Sequence, residues 1–181
     1  MSIRTNYNHT IAASYIGYIT QAIINNFAPL LFLTFSSSFG ISLDKITLLV
    51  TINFGIQLCI DLLSAKFVDK IGYRVSIVAA HLFAAAGLCA MGILPYLLPD
   101  PYVGLLISIF LYAIGGGLTE VLISPIVEAC PTDSKSGAMS LLHSFYAWGF
   151  IVVVLGTSAM LAIFGRANWP IIVLLWSILP F

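Results

Sequence analysis

Two carboxylates, Asp61 and Glu120, stand inside long apolar runs of this sequence. If those runs cross a bilayer, an ionisable side chain costs about 2.5 kcal/mol or more there, so it faces a bundle interior or a wet cavity and marks a functional site. Glu120 shares a helix face with Tyr112 and Gly116 at spacing four. Such a carboxyl can take up a proton on one side and release it on the other; the plainer alternative is a static glutamate tied to Tyr or His neighbours. Asn53, Gln57 and Asp61 form a second stripe at spacing four, a face that wants water, a solute or a partner helix. An interhelical hydrogen-bond cluster would satisfy it equally, as would pairing of Asp61 with Lys66 or another loop cation. A third group is Tyr18, Gln21 and Asn25, with Asn26 adjacent. Amides both donate and accept, which suits a hydroxyl-rich solute and also ordinary helix packing. His143 and His81 read as hydrogen-bonded structural residues.

The elements that must hold these groups are membrane helices. With 60% hydrophobic and 8% charged residues in 181, no soluble domain could hide the apolar surface. Spans of about 20 apolar residues are needed to cross hydrocarbon. They are expected at about 11–35, 46–65, 75–98, 103–127 and 138–164, with a sixth, 169–181, left incomplete because its thirteen residues cover only about 20 Å. Pro29 and Pro125 should break or bend their helices, and Gly115, Gly116 and Gly117 should allow close helix approach. The N-terminus, MSIRTNYNHT, lacks the apolar core and cleavage site of a signal peptide, so the first helix is expected to be retained.

Cytoplasmic loops carry the excess of Lys and Arg. Arg4, Lys66, Lys70, Arg74 and Lys135 fall on the side of the N-terminus, and Lys45 and Arg166 on the other, so five against two places the N-terminus in the cytoplasm. The net charge is zero and no basic stripe with interleaved aromatics appears, which sets nucleic acid aside as a partner. Cys59, Cys89 and Cys130 have no CxxC or Cys/His spacing and read as packing residues, with no metal implied. Nucleotide-binding glycine motifs and hydrolase motifs such as HExxH or GxSxG are absent, so neither a nucleotide-driven pump, an enzyme nor a cofactor is expected.

The stretch KFVDKIGYR, residues 66–74, joins the second and third spans. Its Asp69, Lys70, Gly72 and Arg74 resemble the signature loop of the major facilitator superfamily, roughly Gly-x-x-x-Asp-Arg/Lys-x-Gly-Arg-Arg/Lys. Ala65 stands where the first Gly is usual and Tyr73 where a basic residue is usual. Gly72 permits the tight turn, and Asp69 can pair with nearby cations or a helix N-terminus. More narrowly, GGLTEVLISPIVEACP (116–131), SLLHSFYAWG (140–149) and NNFAP (25–29) resemble the fucose-permease branch. That resemblance sets Glu120 in the place of a membrane-embedded glutamate linked to proton coupling, while Pro29 stands where that branch has a sugar-binding aspartate.

The resemblance implies an all-α integral membrane fold: a six-transmembrane-helix bundle of two inverted three-helix repeats, half of a twelve-helix transporter with its substrate at midplane. It implies proton-coupled alternating access for a small polar solute, a sugar or related compound. Gln21, Asn25, Asn26, Asn53, Gln57, Asp61 and Tyr112 would line the cavity, and Asp69, Lys70, Gly72 and Arg74 would latch the halves on the cytoplasmic side. The fifth span lacks the Gly-Pro antiporter signature, which favours symport over efflux of an amphipathic compound; a non-transporting sensor or assembly protein is the alternative from another class. The expected partners are the lipid bilayer, the solute, the proton and a second six-helix half or partner chain. The expected location is a bacterial cytoplasmic (inner) membrane.

Overall fold

Helix ends in this chain fall where the sequence supplies caps, glycine and proline. The computed structural model describes residues 7–181, the side chain of Ala65 excepted, so Arg4 of the charge count lies outside the described residues. Helix α1 (Tyr7–Leu30) runs into the short α2 (Phe32–Phe39), and α3 (Leu43–Ile71) follows. Next come α4 (Tyr73–Leu97), α5 (Pro101–Ala129) and α6 (Lys135–Phe164), then a 3-10 turn (Arg166–Asn168) and α7 (Trp169–Trp176). Asp100 caps α5 by accepting from Tyr102 N at 2.9 Å, with Pro101 in the first turn where its missing N–H costs nothing. Ser134 caps α6 by accepting from Gly137 N at 3.1 Å.

α3, α4, α5 and α6 are each long and apolar enough to cross a membrane, and the α1–α2 pair makes a fifth candidate span with a bend of 47°. The first expected span is therefore bent rather than straight. Pro29 lacks an N–H and its ring crowds the carbonyl one turn back, and the helix breaks just after it, at Leu31. Pro125, expected to do the same, sits inside α5, which continues to Ala129. α7 has eight residues and does not pass as a span.

The second correction concerns residues 66–74. Rather than a loop, Asp69 and Lys70 belong to the last turn of α3, and α4 already starts at Tyr73. At about 1.5 Å per residue α3 is some 43 Å long, more than the hydrocarbon thickness, so its charged end can project beyond it. Gly72 alone makes the turn, with φ +91°, a conformation that side-chain-bearing residues rarely adopt. Asp69, Lys70 and Arg74 are exposed.

α4 packs most extensively on α5. α1 also lies on α6 and α5 on α3, with α1 against α5 and α4 against α7. The triple glycine makes the centre close. A Cβ on Gly115 would lie 2.6 Å from Ala80 O on α4, and one on Gly117 would lie 3.0 Å from Gln57 O on α3. Backbones therefore touch on both sides of α5, the most enclosed span, whereas α3 and α6 leave most of their surface free. Exposed Leu58, Leu62, Leu155 and Ile163 suit contact with lipid. The core gathers Phe27, Leu31, Phe35, Leu88 and Leu105 around Trp169, whose ring meets Phe35 edge-on at 5.2 Å.

Candidate functional site

The polar stripes of α1, α3 and α5 meet, because Gly116 and Gly117 let Gln57 approach the α5 backbone. Gln57 is 3% exposed and Gln21 2% exposed. Buried amides need partners, and these form a ladder. Gln21 Nε2 donates to Gln57 Oε1 at 3.3 Å and to Glu120 Oε2 at 3.3 Å. Gln57 Nε2 donates to Asn25 Oδ1 at 2.9 Å and to Asn53 Oδ1 at 3.0 Å. Asn25 Nδ2 donates in turn to Tyr146 Oη on α6 at 3.4 Å. Four helices are thus joined from Glu120 to Tyr146. Among the described residues, two acceptors beside the ladder have no partner, Gln21 Oε1 and Asp61 Oδ1.

Of the residues expected to line a cavity, Gln21, Asn25, Asn53 and Gln57 are hydrogen-bonded together. Asn25, Asn53 and Tyr112 also line a small cavity of about 10 Å³, room for roughly one water. Tyr112 is 2% exposed; its backbone and Cβ lie against Gly87 of α4, where an added side chain would not fit. Asn26 stands apart: its Nδ2 donates to Ala22 O of its own helix at 2.9 Å. Asp61 stays within electrostatic reach of Glu120, but among the described residues it pairs with neither Lys66 nor another cation.

Glu120, expected to face a bundle interior or a wet cavity, is exposed on the free face of the chain, with Gln21 as its hydrogen-bond donor. It lies about 14 Å along the helix from Ala129, well inside a membrane-crossing helix, where an exposed carboxylate has to meet water or another protein surface rather than lipid. His143 on α6 is exposed too, its ring 5.6 Å from that of Tyr18. Tyr18 Oη lies 3.0 Å from Ser124 Oγ, one turn beyond Glu120. His81 Nδ1 lies 2.9 Å from Ile77 O of its own helix.

A larger cavity, about 750 Å³, lies elsewhere, between the N-terminal part of α1 and the start of α4, and includes Arg74, His9 and His81. None of the ladder residues lines it. Among the described residues no cluster of three His, Cys, Asp or Glu could hold a metal ion.

The long apolar helices and the embedded polar ladder are accompanied by a match to a known family. The model of the Major Facilitator Superfamily matches residues 13–181. The chain belongs to the major facilitator superfamily. Comparisons with curated proteins and with solved structures gave no match. Membership makes this a multi-pass membrane protein of a transporter family, built on the all-helical architecture of a major facilitator half-domain. For this superfamily member, Tyr146 is the ladder residue that the sequence stripes missed. Its stretch, SLLHSFYAWG, was noticeable, but nothing in its spacing says that α6 turns this side chain toward α1.

Proposed function

We propose that this major facilitator protein carries a small polar solute, a sugar or related compound, by proton-coupled alternating access, with Glu120 as the proton-binding group. The observation that carries this reading is the exposed Glu120 carboxylate, deep within a membrane-crossing helix and tied through Gln21 to buried amides. A carboxylate can hold or release one proton, and side-chain amides offer paired donors and acceptors to hydroxyl groups. The free face that carries Glu120 and His143 is closed, in this reading, by a second six-helix half or a partner chain, leaving a wet cavity between the two. The exposed charges Asp69, Lys70 and Arg74 serve as the latch to that half. The resemblance of residues 116–131 and 140–149 to the fucose-permease branch supports a sugar, the missing Gly-Pro antiporter signature supports symport over efflux, and the five-against-two count of Lys and Arg supports a cytoplasmic N-terminus, here in a bacterial inner membrane.

The test is transport into proteoliposomes holding the chain alone, or together with a candidate second half, under an imposed pH gradient. A panel of radiolabelled hexoses and pentoses is offered. Gradient-dependent accumulation of a sugar supports the reading. Absence of flux for every sugar in the presence of a complementary half would point to the sensor class instead.

A further inference from the structure

We propose that Gln21 and Gln57 act as an amide relay, through which the protonation state of Glu120 is transmitted to Asn25 and Asn53 at the far end of the ladder. The relay rests on the reading of Glu120 as a proton-binding group.

The argument begins with what each partner can do. An ionised carboxylate only accepts hydrogen bonds, so Gln21 must turn Nε2 toward Glu120 Oε2, at 3.3 Å. The same nitrogen faces Gln57 Oε1; both its hydrogens are then spent, and Gln21 Oε1 is left without a partner among the described residues, in a side chain only 2% exposed. Gln57, fixed with its oxygen toward Gln21, must present Nε2 to Asn25 and Asn53, which therefore turn their oxygens inward at 2.9 Å and 3.0 Å. Asn25 Nδ2 consequently points outward, to Tyr146 Oη. Every orientation in the ladder thus follows from the acceptor character of Glu120.

A proton on Glu120 converts its carboxyl into a donor. Gln21 then turns its amide by half a rotation and accepts through Oε1, both from Glu120 and from Gln57 Nε2. Gln57 turns likewise, its oxygen now toward Asn25 and Asn53, whose nitrogens donate to it. Their oxygens face outward in consequence, and the wall around the small cavity bounded by Asn25, Asn53 and Tyr112 changes from donating to accepting. The proton stays on Glu120 and no covalent bond of the chain changes. Amide oxygen and nitrogen are nearly the same size, so the close contact of Gly116 with Gln57 is preserved. Each arrangement leaves one end of the Gln21 amide short of a partner, Oε1 with Glu120 ionised and Nε2 with it protonated, so the proton decides between them. Among other titratable groups, the helices packed on α5 carry Tyr18, Asp61, His81, His143 and Tyr146; of these, Asp61 acts on Glu120 electrostatically. None of the five is hydrogen-bonded to the Glu120 carboxylate among the described residues. Gln21 and Gln57 are positioning residues here.

Infrared difference spectra between acid and alkaline conditions test the relay on the whole chain in lipid nanodiscs, with asparagine carrying a 13C-labelled side-chain carbonyl. The relay predicts a protonated-carboxyl band that disappears in Glu120→Gln, and a shift of the labelled asparagine band with the same midpoint. Gln57→Leu, with Gln57→Met as a second replacement, should keep the carboxyl band and lose the asparagine shift. A titrating Glu120 band with no asparagine shift, or a shift that survives both Gln57 variants, overturns the relay and leaves the proton-binding reading standing. If no Glu120 band titrates at all, that reading fails and the relay fails with it.

Discussion

Gln21 donates to Glu120 across 3.3 Å, from α1 to α5, while its own Oε1 has no partner among the described residues. One buried amide therefore links the free face of the bundle to its interior. Removing it should be felt as an unpaired acceptor on Gln57. Gln21→Leu is expected to destabilise the protein by about 1–3 kcal/mol, the cost of a buried polar atom left unsatisfied. Gln21→Leu combined with Gln57→Leu should recover part of that loss, because both partners are then gone. Thermal unfolding in detergent, followed by tryptophan fluorescence, measures both; a double variant that simply adds the two losses would contradict the pairing.

The contact of α3 with α5 depends on the absence of a side chain at Gly117, where a Cβ would lie 2.9 Å from Ile60 Cβ and 3.0 Å from Gln57 O. Gly117→Ala must push two helices apart, at a cost of about 1–3 kcal/mol. Gly55, in α3, has nothing within 4 Å of a Cβ. Gly55→Ala should be neutral or stabilising by up to about 1 kcal/mol, since alanine is the better helix former. A melting-temperature comparison of the two variants checks the difference in sign.

Gly72 has open space around its Cβ position, so only its φ of +91° demands glycine. Gly72→Ala is expected to cost about 1–3 kcal/mol through backbone strain alone. A melting temperature unchanged from that of the parent would show that the turn between α3 and α4 does not need this conformation.

Cys130, just beyond the end of α5, is buried, and burial pushes its thiol above the ordinary cysteine range. The thiolate is the reactive form, so less of it is present at neutral pH than for a free thiol. With Cys59 and Cys89 replaced by serine, alkylation of Cys130 by N-ethylmaleimide should be slow near pH 7. Its rate should still be rising where that of a free thiol has levelled off. A rate that levels off together with a free-thiol control would contradict the burial.

Much of the fold is written locally. Pro101 after Asp100, Ser134 before α6 and Gly72 between α3 and α4 are end signals that need no tertiary information. Asp69 and Lys70 misled because a charged stretch looks the same whether it is a loop or a helix turn extending past the hydrocarbon. Pro29 and Pro125 look alike in sequence, yet only the first is followed by a break. The site was half legible. Spacing four marked Asn53 with Gln57 and Gln21 with Asn25, but helical periodicity says which residues share a face, not which faces meet. Tyr146 went unseen for that reason. The exposure of Glu120 is likewise set by the arrangement of helices rather than by the apolar residues beside it in sequence.

The most direct test of the central claim compares Glu120→Gln with the parent protein in proteoliposomes that support transport of an identified solute. Uphill accumulation under a pH gradient and exchange at equal pH are measured on the same preparations. Loss of accumulation with exchange retained is the predicted result, because the glutamine keeps the size of the side chain and loses the proton site. Accumulation equal to that of the parent would show that Glu120 is not the coupling group.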